Sequence, residues 1–171
     1  IIMMDSVAKK SISDIANEFA SIEKSVNVMT SQYLTGALLE RQYRFASRLT
    51  DAQSFFLGKD YDRAAMVLLD LVEDDKNKRH PAYRDGLFYL AESLFFLRNY
   101  KAAVKVFVEL VQRGTPKQKA NAMARLLEIS AETGDRKLGQ RFLPVAERSA
   151  TGSRNPVLLY GLGKYLFRVG K

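Results

Sequence analysis

The sequence predicts an all-α chain: an α-solenoid of antiparallel helix pairs that follows a long N-terminal helix. Three observations carry this. No stretch alternates apolar and polar residues as a half-buried strand does, and every strong break is made by Gly, Asn, Asp or Pro. Near the N-terminus, apolar residues recur in steps of 3 and 4 in strict alternation. Finally, one segment is written twice: FLGKDYDRAAMVLLDLV at 56–72 and FLRNYKAAVKVFVELV at 96–111 nearly superimpose.

The first helix is predicted because neither Gly nor Pro occurs between Asp5 and Thr35. Its apolar residues are Ile12, Ile15, Phe19, Ile22, Val26, Met29 and Tyr33, the a and d positions of a heptad, which form a narrow stripe that must be buried against something. Residues 12–33 are expected either to self-associate as a coiled coil or to pack on the rest of the chain as a cap. Gly36 is the first place where this helix can bend or end, which divides the chain into an N-terminal helix, 1–36, and a repeat region, 37–171. From about Ala37 to Leu57, Leu38, Leu39, Phe45, Leu49, Ala52 and Phe56 supply a broader apolar face suited to globular packing. GKDY then breaks the pattern. A second helix starts near Asp62, where an acid is favourable in the first turn, and buries Ala64, Val67, Leu68, Leu71 and Val72. The charged loop EDDKNKRHP ends it. The unit restarts with helices at about 83–97 and 101–112 around the turn RNY, and again with 117–133 and 136–149 around GDR. A last helix, VLLYGLGKYLFRVG, follows ATGSRNP.

The register of the repeat lies in its small residues. Ala52 and Ala64, Ala91 and Ala103, and Leu127 and Gly139 are each 12 apart, and the first members recur after 39 and 36 residues. A further 36 reaches Gly163 in the last helix. A helix pair recurring at that period is a solenoid unit, which buries its apolar face only by stacking on its neighbours. Small residues belong where helices cross closely.

YLAESLFFLRNYKAAVKVFVELV resembles a tetratricopeptide repeat, with Ala91 and Ala103 as its small residues, Tyr100 as the turn aromatic and Phe107 as the packing aromatic. LTDAQSFFLGKDYDRAAMVLLDLV is similar, through Ala52, Phe55, Tyr61, Ala64 and Leu68. The third unit departs from the pattern: Leu127 replaces a small residue, Arg136 replaces the turn aromatic, and Pro144 interrupts the second helix. The resemblance covers roughly residues 40–171, with the last repeat cut short, so the chain is expected to be a segment of a longer protein. Units longer than the usual length of about 34 residues, together with the loop in KRHPAYRDGLFYLAESLF, also resemble bacterial cell-envelope members, in which a coiled coil can precede the repeats. That likeness favours a periplasmic or envelope location over the cytoplasm.

The resemblance implies a non-enzymatic scaffold for protein–protein interaction, which holds a peptide or helix of another protein in a concave groove lined by the first helix of each pair. The residues it places there are Gln53, Phe56, Phe88, Glu92, Phe95, Phe96, Glu128, Tyr160, Lys164 and Phe167. Phe88, Tyr89, Phe95 and Phe96 span more than one face of a helix, so at least one ring is expected near solvent. Phe88 and Ala124 stand where chaperone-binding members carry carboxylate-clamping basic residues, which argues against a heat-shock-protein adaptor.

Composition narrows the chemistry. Cysteine is absent, which excludes disulfides and thiolate metal sites. The single histidine, His80, precedes Pro81 in a charged loop and is expected to be solvated. The acids EDD at 73–75 are followed at once by KNKR, a mutually screened loop. YGLGKY lacks a glycine five residues before Gly163 and has Tyr165 where a phosphate-binding loop needs Ser or Thr. No nucleophile is placed beside a base, so neither catalysis, metal nor cofactor is expected. No run of about 18 apolar residues marks a membrane span. The net charge of +8 arises entirely in residues 111–171, which hold 12 Lys and Arg against 4 Asp and Glu. That asymmetry supports an alternative, the binding of nucleic acid or another anionic polymer through the C-terminal third. The scatter of those cations over several helices, apart from the aromatic cluster, argues against nucleic acid.

Overall fold

The structure, a computed structural model, describes residues 2–153 and 155–170, with side chains from Ser13 to Gly152 and from Asn155 to Gly170. The described residues form seven α-helices and one 3-10 turn, with no strand among them. The helices are α1 (Ile2–Leu57), α2 (Tyr61–Glu73), α3 (Tyr83–Phe96), α4 (Tyr100–Arg113), α5 (Pro116–Thr133), α6 (Arg136–Ser153) and α7 (Pro156–Arg168). The chain divides into two compact units, residues 1–44 and 45–171. None of the described helices is long and apolar enough to cross a membrane.

The first unit is the N-terminal stretch of α1. The helix does not end at Gly36: a glycine inside a helix costs about 1 kcal/mol relative to alanine, too little to stop a helix supported on both sides. Ser25, Thr30 and Thr35 direct their hydroxyls back to the carbonyls of Ser21, Val26 and Ser31, so these residues keep to the helix without leaving a polar group unpaired. Ile12 of the expected seam lies outside the residues whose side chains are described. The other six, from Ile15 to Tyr33, are all exposed, from 50% for Val26 to 77% for Tyr33.

In the second unit α2, α3, α4 and α5 each pack on the next, and α5 packs on both α6 and α7. The core draws Phe45 and Leu49 from α1, Leu68 from α2, Leu90 from α3, Phe107 and Leu110 from α4, Leu126 and Ile129 from α5, Phe142 from α6 and Leu158 from α7. Ala52, Ala64, Ala91 and Ala103 are fully buried, as small residues at close crossings must be. Further along, the close approaches fall on two glycines. A β-carbon on Gly139 would lie 2.1 Å from the Tyr165 hydroxyl, and one on Gly161 would lie 2.7 Å from the Ala124 β-carbon. Gly163, which the repeat period singled out, faces open space. The crossing in α7 is therefore two residues earlier than expected.

The duplicated segment is duplicated in its hydrogen bonds. After α1, Gly58, Lys59 and Asp60 donate their N–H groups to the carbonyls of Ser54, Phe56 and Phe55. After α3, Leu97, Arg98 and Asn99 donate to Ser93, Phe95 and Leu94 in the same pattern. Lys59 and Arg98 take the left-handed conformation, φ 60° and 59°, and Gly134 takes it between α5 and α6, φ 73°. The next helix is then capped by Asp60, Asn99 or Asp135, whose carboxylate or amide oxygen accepts from the N–H of Arg63, Ala102 or Leu138. Thr115 and Gln118 form a reciprocal capping box on α5.

Two further expectations are corrected. Pro144 does not interrupt α6, which continues to Ser153. The carbonyl that its missing N–H would have paired belongs to Gln140, an exposed residue, so the lost helical bond does not leave a buried group behind. The loop after α2 is ordered as a 3-10 turn, Asp75–Arg79, capped by Asp74 and tied down by buried Asn77, whose amide donates to the Leu71 carbonyl. His80 is not simply solvated. Its ring stacks on Phe45 at 4.1 Å, and its Nδ1 accepts from the Ala82 N–H.

Candidate functional site

The residues expected to line a groove fall on four helices: Gln53 and Phe56 on α1, Phe88, Glu92, Phe95 and Phe96 on α3, Glu128 on α5, and Tyr160, Lys164 and Phe167 on α7. Four of them, Glu92, Phe95, Phe96 and Glu128, meet at a residue that sequence reasoning left out, Arg125 on α5. Its Nε and Nη2 donate to the two carboxylate oxygens of Glu92 at 3.0 and 2.9 Å, and its Nη1 donates to Glu128 at 2.8 Å. Glu92 is only 6% exposed, so this bidentate pairing is what permits a carboxylate there. Glu128 accepts a second hydrogen bond from Lys164, which lies 3.8 Å from Glu132, and Glu132 accepts from Arg168 at 3.1 Å. Two turns toward the start of α5, Gln118 donates to Asp85 of α3 at 2.8 Å. The polar stripe of α5 thus joins α3 on one side to α7 on the other.

Burial works against the Arg125 cation, but hydrogen bonds and charge from Glu92 and Glu128 outweigh it and raise its pKa above the ordinary value. Burial likewise pushes the Glu128 carboxyl up, and the hydrogen bonds from Lys164 and Arg125 more than reverse this and hold it below the ordinary carboxylate range. The hydrogen bond to Glu128 raises the Lys164 ammonium. The network contains three carboxylates and three cations and carries no surplus charge.

Aromatic rings border the same centre. The Arg125 guanidinium lies over Phe95 at 4.3 Å and near Phe96 at 5.4 Å. Phe96 stacks on Tyr61 at 4.7 Å and meets Phe56 at 6.1 Å, and Phe56 packs edge-on against Tyr89. Phe88, Tyr89 and Phe95 are half-buried against the core, whereas Phe96 is 42% exposed. On the other side of Arg125, a shallow depression of about 360 Å³ is lined by Ala124, Arg125, Glu128, Pro156, Val157, Tyr160 and Gly161, with Tyr160 69% exposed at its edge. Gln53, half-buried, joins neither the rings nor the ion network, and Phe167, 87% exposed, stands apart from both.

Arg125, Glu132 and Arg168 complete the site without having been named from the sequence, and Tyr61 and Tyr89, named there but not as groove residues, join its rings. A signal was present. Arg125 follows Glu92 by 33 residues, and Lys164 and Arg168 follow Glu128 and Glu132 by 36. Opposite charges 33 to 36 residues apart meet across α3, α5 and α7. Elsewhere, Arg136, Lys137, Arg141 and Arg148 are all exposed on α6. Comparison with protein-family models, with curated proteins and with solved structures finds no match to this chain.

Proposed function

We propose that the second unit is a non-enzymatic, tetratricopeptide-like scaffold of antiparallel helix pairs, whose first helices bind a peptide or helix of another protein. The observation that carries this reading is the setting of Arg125. A charge-balanced ion network fixes it between an exposed ring on α3, Phe96, and an exposed ring on α7, Tyr160. Exposed aromatics beside a rigid polar frame are where binding energy concentrates. Because the frame is neutral, the partner's contribution is apolar and aromatic, not a matter of opposite charge. A bacterial envelope complex is the setting this reading favours.

The test is a photo-cross-linking residue placed at 96 or 160 in the native source, with position 141 on α6 as control. Capture of one partner from 96 and 160, lost on adding purified partner peptide, supports the groove. For that partner, Phe96→Ala with Tyr160→Ala is expected to weaken binding by about thirtyfold or more, equivalent to about 2 kcal/mol. Capture only from 141 would refute it. The four exposed cations of α6 favour a second reading, the binding of an anionic polymer. It predicts an affinity that falls steeply with salt and is insensitive to the ring substitutions.

A further inference from the structure

We propose that the first unit is a dimerisation element in which two copies of this chain pair antiparallel through the seam Ile15–Tyr33, in a single register centred on Lys24. The seam is one face of a continuous helix and its six described side chains are all half or more exposed. A stripe that repeats every 3.5 residues is covered only by a helix with the same repeat, since each knob must meet a hole at every layer. The broad apolar faces of α2 to α7 follow another pattern and are already spent on the core of the second unit. A second copy of α1 supplies the matching stripe.

Side-chain volume sets the orientation. In a parallel pair each residue meets itself, so Phe19 would face Phe19 and Tyr33 would face Tyr33, while Val26 would face Val26 between them. Two crowded layers would flank a thin one. In the antiparallel register Ile15 meets Tyr33, Phe19 meets Met29 and Ile22 meets Val26, which gives layers of similar volume along the seam. Charge points the same way. With Ile12 and Phe19 at a positions, Glu18 is a g residue and Glu23 an e residue. The parallel pairing sets Glu18 of each chain against Glu23 of the other, two like-charge contacts. The antiparallel pairing sets Glu18 beside Gln32 and leaves a single Glu23–Glu23 contact at the two-fold axis. Length is compatible with this register: Lys24 lies near the middle of the unit formed by residues 1–44, so antiparallel copies overlap from residue 4 to residue 44.

The chain has no cysteine, so single cysteines report the register without background. Ser25 lies next to its own copy across the proposed axis, and Ser25→Cys is expected to form an interchain disulfide readily. Residues 15 and 33 face each other, about 27 Å along the helix from their own copies. Full-length Ile15→Cys and Tyr33→Cys chains should therefore cross-link when mixed, and neither should do so alone. In sedimentation the parent should be a dimer, and Phe19→Asp with Val26→Asp should raise its dissociation constant at least tenfold while the helicity of the second unit persists. A parent that stays monomeric at the highest attainable concentration, an assembly larger than a dimer, or cross-linking of Tyr33→Cys alone would each overturn the proposal. None of these outcomes bears on the groove.

Discussion

Glu92 is an acid whose two carboxylate oxygens are both filled by one side chain, and its position in the protein depends on that side chain. Removing the cation alone leaves a buried charge unpaired, so Arg125→Ala is expected to cost about 3–5 kcal/mol in chemical denaturation. The double change Glu92→Leu with Arg125→Met removes both charges at similar volume and should restore stability to near that of the parent. If the single and double variants are equally destabilised, the cation over Phe95 and the hydrogen bond to Glu128, and not the pairing of Glu92, are what Arg125 supplies. The neighbouring groups set a pH dependence. The folded pKa of Glu128 lies below its ordinary 4.5, so its contribution is present above that value and is lost as pH falls through the folded pKa. That of Lys164 lies above 10.5, so its contribution is present below 10.5 and is lost as pH rises through the folded pKa. Glu128→Gln should consequently flatten the acid limb of a stability–pH curve measured by denaturation from pH 6 downward, and a limb identical to the parent's would assign acid unfolding to other carboxylates.

Helix crossings tell a different story from side-chain pairs, because there the decisive atom is one that is missing. Gly161 lets α7 approach α5 until a β-carbon would stand 2.9 Å from the Ala124 α-carbon, which is backbone and yields little. Gly161→Ala should therefore destabilise by about 1–3 kcal/mol. Gly163→Ala, two residues on and facing open space, should stabilise by up to about 1 kcal/mol through helix propensity alone. Thermal melts of the two variants check the pair. Ala103→Leu, at a fully buried crossing, should fall with Gly161→Ala. The sequence showed the helices themselves well: apolar period and Gly, Asn, Asp and Pro breaks placed all but one of the described helix ends after α1 within about two residues, and the four buried alanines were found by spacing. Gly163 was preferred to Gly161 because a period counts residues, and the third unit, with Leu127 at its small position, does not hold the register of the first two. Arg125 escaped notice because a lone arginine in a basic stretch looks solvated, and the carboxylate it pairs with in two hydrogen bonds, Glu92, lies on another helix. Pro144 and His80 misled for a related reason, since what a residue does locally was decided by the exposure of Gln140 and by the ring of Phe45.

At the scale of the whole chain, the buried apolar residues among those described all lie at Phe45 or later, and the segment from Ser13 to Arg44 contributes none. Hydrophobic burial is the main favourable term in folding, so the unit that owns the core owns the stability. A chain restricted to residues 45–171 keeps every crossing, cap and ion pair described for the second unit, and it is expected to unfold as cooperatively as the parent, with a change of no more than about 0.5 kcal/mol. The first unit has a different source of order. A single helix with an apolar stripe in water gains little from its own hydrogen bonds, and its helicity has to come from what covers the stripe. Heating the full chain should accordingly give two transitions: one at a temperature independent of protein concentration, shared with the 45–171 fragment, and one that rises with concentration, as loss of a bimolecular contact requires. Circular dichroism at two concentrations a hundredfold apart makes the comparison. A single transition that shifts with concentration as a whole, or a 45–171 fragment that fails to fold, would mean that the second unit draws its stability from the first, and the reading of the first unit as an association helix beside a self-sufficient second unit would have to be abandoned.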